Sequence, residues 1–433
     1  MLREKERGVP EPLPSAAAER RNLLAQILHG TFSQAGQRLI TAPTFMPAFL
    51  LSVFGSELLV GLCRALQALG AALSPAVIAH FLGQRRALKG AALSIALLAR
   101  LPLLGLALLA MMGAGPFLAA GIVATLFLFG LCQGAQQVAL NLLRARAIRR
   151  GRRGAALGMR NFFGGLSAMA LALWLGNRQG EDGYGMFFAL AFVLTATGVV
   201  CLLMTLEGDL PTGAPPARVR LRDTFRRIWA HTRDPSPFRT FLESYAFTCM
   251  SRMALPFYIL FLTTGDPPGE GASLESIGLL SAVWIGAAVL SRLPLGLLAD
   301  ALGGVRIYRF GVGLWFLGNS VFLAMSAGAP KGLGGIVLGL AILGIGSAAT
   351  ELTAQNLVLD LGETEAAPQR LSATTTVAQC LVAIGQLLGG AVLQFSGFFT
   401  LTAATGCLLF AALLRAGRLP SPSPGLTHRE IAP

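Results

Sequence analysis

Hydrophobic residues in this chain fill whole stretches of about twenty positions instead of marking one face of a helix or alternating along a strand, and short polar segments separate the stretches. A stretch of that length crosses the roughly 30 Å hydrocarbon layer of a bilayer as an α-helix. Twelve such runs can be placed, at roughly 23–50, 57–80, 88–112, 116–142, 155–176, 184–206, 240–264, 274–299, 308–327, 332–358, 371–394 and 397–415. Six lie on each side of a polar segment, 207–239, that carries Pro211, Pro215, Pro216, Pro235 and seven arginines and reads as a linker. The pattern predicts an all-α membrane protein with twelve transmembrane helices in two pseudo-symmetric six-helix bundles. Its parts are a tail over 1–21, a first bundle over 22–206, the linker 207–239, a second bundle over 240–415 and a tail over 416–433. Pro10, Pro12, Pro14 and several charges precede the first run, which argues against a signal peptide.

Composition agrees with this picture. The chain has 433 residues, 54% of them hydrophobic and only 13% charged, and its mean hydropathy is +0.64, outside the range of soluble domains. A formal net charge of +14 would suggest nucleic acid in a soluble domain, so the position of the cations matters. With the N-terminus placed in the cytoplasm, 27 Lys and Arg fall on the cytoplasmic side and 2, Arg178 and Lys331, on the other. That imbalance places both termini in the cytoplasm. The basic charge is then topology and not nucleic-acid binding, and the linker can also touch anionic lipid.

Chemistry of other kinds finds no foothold. Cys63, Cys132, Cys201, Cys249, Cys380 and Cys407 are far apart, and each lies in or beside an apolar run, so neither a disulfide framework nor a metal site is indicated. There are four histidines and no HExxH, no GxxxxGK[ST] and no GxSxG. An enzyme is not expected, nor a cofactor or metal.

Ser291 to Arg309, SRLPLGLLADALGGVRIYR, is the most informative stretch. Asp300 ends an apolar run, Gly303 and Gly304 follow, and Arg306 and Arg309 close the segment at what would be the cytoplasmic surface. The glycines allow a turn and close helix approach, and a carboxylate at the membrane edge can accept from a neighbouring helix N-terminus. The spacing Gly296, Asp300, Gly303, Arg306 resembles the signature loop of major facilitator superfamily transporters, and the first half holds a worn copy in His80, Gly83, Arg85 and Arg86. The six-plus-six arrangement, the long central linker and Arg153-Gly154 opening the fifth run extend the resemblance over nearly the whole chain; Pro47 to Lys89 looks like a bacterial branch. The resemblance implies two bundles around a cavity lined by runs 1, 4, 7 and 10, and alternating access by rocking of the bundles. The fifth run lacks the Gly-Pro pair of proton-coupled drug antiporters in that family, which argues against a multidrug exporter.

Six arginines fall inside the runs: Arg38, Arg64, Arg100, Arg160, Arg252 and Arg292. A charge at such depth must face protein or water, so each is a functional candidate. Arg38 and Arg252 sit midway along the repeat-related runs 1 and 7, where planar guanidinium forks suit a carboxylate or phosphate. Run 4 offers Gln133, Gln137 and Asn141 at intervals of four; run 10 offers Gln355 and Asn356. The other reading of these amides is hydrogen bonding between helices. Glu351 is the first candidate for a proton-coupling carboxylate and Glu243 the second; the alternative for Glu351 is an ion pair with Arg38 or Arg252. His29 near the end of run 1 reads as structural or titrating, Arg64 and Arg100 as structural or gating, and Arg292 as part of the gate or snorkelling to the interface.

The leading expectation is a secondary active transporter in a bacterial inner membrane that moves a small anionic or amphiphilic solute, with H+ as the candidate coupling ion. Its partners are that solute and the lipid bilayer, with no nucleic acid. The alternative is a non-transporting assembly factor or sensor on the same fold that docks a protein partner on its basic linker.

Overall fold

The computed structural model describes residues 16–83, 87–112, 118–148, 150–176, 183–206, 236–262, 274–330, 332–361 and 367–420. In chain order the helices are α1 (Ala16–Thr41), α2 (Phe45–Phe54), α3 (Glu57–Gly83), α4 (Lys89–Leu98), α5 (Leu101–Met111), α6 (Leu118–Ala147), α7 (Arg150–Gly176), α8 (Gly183–Leu202) and α9 (Pro237–Ser251). A 3₁₀ segment (Leu255–Leu262) follows, then α10 (Leu274–Leu302), α11 (Gly304–Ser326), α12 (Leu333–Asp360) and α13 (Ala367–Gly417). The described residues contain no strand.

All twelve apolar runs fall on helices, and three of them are broken. Run 1 breaks between α1 and α2 at Pro43, run 3 between α4 and α5 just before Pro102, and run 7 between α9 and the 3₁₀ segment near Pro256. Proline lacks the N–H that the preceding turn needs and clashes with the carbonyl four residues back. Runs 11 and 12 form α13, in which Gly397 takes φ 75°. That left-handed value is open to glycine at little cost, and the chain reverses there. Gly303, at φ 93°, makes the corresponding turn between α10 and α11.

Eight stretches of the described residues are long and apolar enough to cross a membrane, and the outer surface carries Leu97, Leu108, Val200, Leu317, Phe395 and Phe410, each more than half exposed. So much exposed apolar side chain is incompatible with water and normal against lipid. The chain is a multi-pass helical membrane protein.

Within each half the seams are made of small residues. On α6, Gly130 and Gly134 face Gln67, Ala71 and Ser74 of α3; the repeat-related pair, α12 and α10, meets where Gly344 faces Trp284 and Ala287. Apolar side chains gain nothing by leaving lipid, so close backbone approach and dispersion hold such helices together.

Two further seams join the halves. On the first, Ser56 Oγ donates to Gln394 Oε1 at 3.0 Å, Gly61 faces Gly390, and Ala65 and Ala68 meet Ala383. On the second, Gly278 of α10 faces Ala172 and Gly176 of α7, and Val289 covers Gly165. Between them Thr44 hydrogen-bonds Ser281, and Phe45, Met46 and Phe49 join Met253, Phe257 and Leu280 in one apolar cluster. These contacts lie toward the end of the bundle remote from residues 206 and 236, between which the linker runs. From the last of them, α3 continues to Gly83 and α10 to Leu302, toward the linker end.

Candidate functional site

Glu351 occupies the nineteenth position of α12, beyond its middle and nearer the linker end. Arg292 Nη2 on α10 donates to Glu351 Oε2 at 2.8 Å. Arg252 Nη2, just past α9, lies 3.9 Å from Oε1, and Ser347, one turn before Glu351, donates to the same oxygen at 3.2 Å. Arg38 on α1 is within electrostatic reach of both Glu351 and Arg292. Two guanidiniums of the second half therefore pair with one carboxylate, and a third from the first half lies within electrostatic reach of it.

The proline breaks place two of these cations. Arg38 lies three residues before the end of α1 and five before Pro43, and Arg252 directly follows α9 and lies four before Pro256, so each stands at a helix end ahead of a proline. Arg252 is backed by Trp315, its Cζ 5.7 Å from the ring centroid, and Trp315 donates through Nε1 to Thr350 Oγ1 at 3.3 Å. A guanidinium over an indole face is stabilised by the ring quadrupole while its donors stay available. Nε and Nη2 of Arg252 and Nε of Arg292 have no hydrogen-bond partner, although all three are buried. Arg38 spends one donor on Gln34 Oε1, at 3.3 Å. The side chains of Arg252, Arg292 and Glu351 are 20%, 28% and 39% exposed. The cluster thus holds several unused N–H donors, buried in this conformation, beside one partly exposed carboxylate.

The other sequence candidates are dispersed. Gln133 is half-buried and Gln137, Asn141 and Asn356 are exposed. Gln136, between them on α6, is buried with its Oε1 unbonded. Glu243 is bound at the linker end by Arg239 and Arg415, each at 3.1 Å, away from the cluster. The loop residues Gly296, Asp300, Gly303 and Arg306 stand at the end of α10 and start of α11, with Asp300 and Arg306 exposed. A Cβ added at Gly296 would meet nothing within 4 Å. The side chains of His80 and Gln355 lie outside the described residues, as do Arg85 and Arg86.

Three arginines that sequence left open have definite places. Arg292 belongs to the cluster and not to the loop end of α10. Arg64 donates to Gln67 Oε1 at 2.7 Å, and Arg100 reaches Ser33 Oγ at 3.5 Å. His29 is fully buried, with Nδ1 2.8 Å from the Gly198 carbonyl. Arg292 is the residue that sequence reasoning missed. Its burial depth marked it as one of six, and only the approach of α10 to α12 brings it onto Glu351.

No family model matches the chain, and no curated protein matches it in sequence. Solved structures do match in fold. A POT family transporter in complex with 5-aminolevulinic acid is similar at TM-score 0.70 and 13% identity, over 93% of this chain and 96% of that one. A D-xylose-proton symporter is similar at TM-score 0.68 and 14% identity, over 93% and 97%. The human organic anion transporter MFSD10 is similar at TM-score 0.63 and 16% identity, over 93% and 100%. The fold is that of the major facilitator transporters. These structural neighbours are membrane transporters and not enzymes. On the major facilitator fold, the cluster draws Arg38, Arg252 and Glu351 from runs 1, 7 and 10, which the resemblance assigns to the cavity. Arg292 comes from run 8, outside that set.

Proposed function

We propose that the chain is a secondary active transporter that moves a small anionic solute across the bacterial inner membrane by alternating access, with both termini in the cytoplasm. The observation that carries this reading is the cluster at Glu351, with Arg292 and Arg252 at 2.8 and 3.9 Å from the carboxylate and Arg38 within electrostatic reach, so that guanidiniums outnumber carboxylates at a partly exposed site between the halves. Solved neighbours carry names as different as xylose and organic anion, so the fold does not select the solute and local charge must. A carboxylate or phosphate group takes the fork of Arg252 and the free edge of Arg292 through charge-assisted bonds. Gln133, Gln137, Asn141, Gln355 and Asn356 enter this reading only as candidate further contacts to the solute.

Glu351 is the coupling group in this reading. Protonated, it gives up its hold on the arginines and frees them for the solute; ionised, it competes for the same donors. Gly296, Asp300, Gly303 and Arg306, with His80, Arg85 and Arg86 in the first half, form the contacts that close the linker end in the opposite conformation. The joined end remote from the linker corresponds to a state open to the cytoplasm.

The test is the thermal stability of the purified protein against a panel of anionic, neutral and cationic solutes, repeated with Arg38→Gln and Arg252→Gln. Ligands that bind only the folded form raise its stability. The expected result is a rise in Tm with one class of anion that both substitutions abolish, followed by flux of that anion in liposomes. Uptake of a cation that carboxylates and phosphates never inhibit would overturn the assignment.

A further inference from the structure

The first half holds a second group of buried cations that the cluster at Glu351 does not use. Arg160 on α7 is 7% exposed, and its Nε and Nη1 are buried without a hydrogen-bond partner. Its side chain lies across Gly30 of α1: a Cβ there would come within 2.9 Å of both Cδ and Nε of Arg160. Glycine thus clears the space in which this guanidinium rests. Arg144, near the linker end of α6, donates through Nε to its own helix at Leu140 O, 3.1 Å away, and is in electrostatic contact with Arg160. His29 borders the same space, its Nε2 unbonded, and so does the neighbouring turn of α1, where Gln26 keeps Oε1 unbonded. Among the described residues no carboxylate is in electrostatic contact with Arg144 or Arg160.

Two neighbouring cations, one deeply buried, with no counter-charge among the described residues cost several kcal/mol unless something negative joins them. Gly30 precedes Arg38 by eight residues on α1, which is about 12 Å of helix toward the linker end, and Arg38 is itself in electrostatic contact with Arg160. The guanidiniums of Arg144, Arg160 and Arg38 therefore form successive steps from the linker end to the shared carboxylate.

The geometry points to a second anion site, made by Arg144 and Arg160 between α1, α6 and α7, where a carboxylate or phosphate group pauses on its way to or from the Arg38, Arg252 and Arg292 cluster. The role as a way-station rests on the transport reading; the binding of an oxyanion by this pair does not. A free anion and a lipid headgroup offer the same chemistry, and the transport reading selects the free anion.

The experiment uses the full chain in discs of zwitterionic phosphatidylcholine, titrated with inorganic phosphate and followed by Tm. Five proteins are compared: wild type, Arg144→Gln/Arg160→Gln, Arg38→Gln/Arg252→Gln, the combination of all four substitutions, and Arg160→Lys. The expected result is a phosphate-dependent rise in Tm that persists in part in the Arg38/Arg252 variant. It persists in part in the Arg144/Arg160 variant as well, and is lost when all four substitutions are combined. The phosphate-free Tm of Arg144→Gln/Arg160→Gln should equal or exceed that of wild type, because an uncompensated pair has been removed. Arg160→Lys, which keeps the charge, should keep the phosphate response. If the Arg38/Arg252 variant responds to phosphate as fully as wild type, the central site is wrong and the second site stands. If the Arg38/Arg252 variant loses the response entirely, or Arg144→Gln/Arg160→Gln leaves it unchanged, the second site is wrong. A phosphate-free Tm well below wild type in both Arg144→Gln/Arg160→Gln and Arg160→Lys would make these arginines structural and overturn it too. In phosphatidylglycerol discs without phosphate, full stabilisation to which phosphate adds nothing would assign the pair to a lipid headgroup and overturn the way-station.

Discussion

Glu351 faces more positive charge than it can neutralise. Its bond to Arg292 at 2.8 Å is charge-assisted and Arg252 at 3.9 Å adds a looser Coulombic attraction, while Arg38 adds a third cation. Removing one partner of a fully buried pair costs about 3–5 kcal/mol; Glu351 is 39% exposed, so water screens part of that loss. Glu351→Gln should lower stability by about 1–3 kcal/mol, and adding Arg292→Gln should restore much of it, because the second change removes the cation left unpaired. Thermal unfolding of the three proteins decides it. If the double variant is less stable than Glu351→Gln alone, Arg292 is held by packing and not by the pair.

At the scale of elements, the broken runs bring two arginines of the proposed site to helix ends. Runs 1 and 7 each carry an arginine and then a proline, Arg38 with Pro43 and Arg252 with Pro256, and discontinuous helices at repeat-related positions are where this class of architecture binds its cargo. The 3₁₀ segment after Arg252 is tied in by a buried triad: Tyr258 OH donates to Asn319 Oδ1 at 2.7 Å, and Asn319 Nδ2 donates to Thr402 O at 3.0 Å. Tyr258 also stacks on Phe322, with centroids 4.1 Å apart. Asn319→Leu removes both hydrogen bonds inside the bundle. Interhelical bonds of this kind contribute about 0.6–1.7 kcal/mol each, so a loss of about 1–3 kcal/mol is expected in equilibrium unfolding. Hydrogen exchange should rise first in Leu255–Leu262 and not in α6; uniform loosening would contradict the anchoring role of Asn319.

At the scale of the molecule, the joined end and the linker end differ in what the glycines touch. Gly61 and Gly390 are pressed backbone to backbone, as are Gly176 and Gly278, whereas Gly296 has no neighbour where its side chain would be. Glycine at position 296 is therefore unexplained by packing in this conformation, and the proposed closure of the linker end would supply the reason. Gly296→Val should leave folding and Tm nearly unchanged while lowering liposome flux at least several-fold; unchanged flux would remove Gly296 from the gate. A complementary lock tests the joined end. Ser56→Cys/Gln394→Cys, in a background whose six native cysteines are serine, replaces a 3.0 Å cross-half hydrogen bond with a pair that a short bifunctional thiol reagent can bridge. Bridged protein should stop transporting, and a cleavable reagent should restore flux on reduction. Transport by fully bridged protein would rule out separation of α3 from α13 during the cycle.

Much was determined by the sequence alone, because lipid imposes a strict rule on it. A spanning segment must satisfy its own backbone and cover itself in apolar side chains, so the twelve runs, the all-helical class and the turn at Gly303 were readable one segment at a time, whereas the reversal at Gly397 was not. The breaks were written there as well, in Pro43, Pro102 and Pro256, although the long apolar runs hid them. Charge inside a run also announced itself, which is why Arg38, Arg252 and Glu351 stood out. Only the tertiary structure decided which charges meet. Arg292 and Glu351 are 59 residues apart in sequence and Arg38 lies in the other half, so their company depends on which faces α1, α9, α10 and α12 turn toward one another. Apolar periodicity could not fix those faces, since helices that are hydrophobic all round carry no stripe to orient them. Close backbone approach at glycines, Gly344 against the Trp284 carbonyl and Gly278 against Gly176, sets the rotation, and the rotation places the cations.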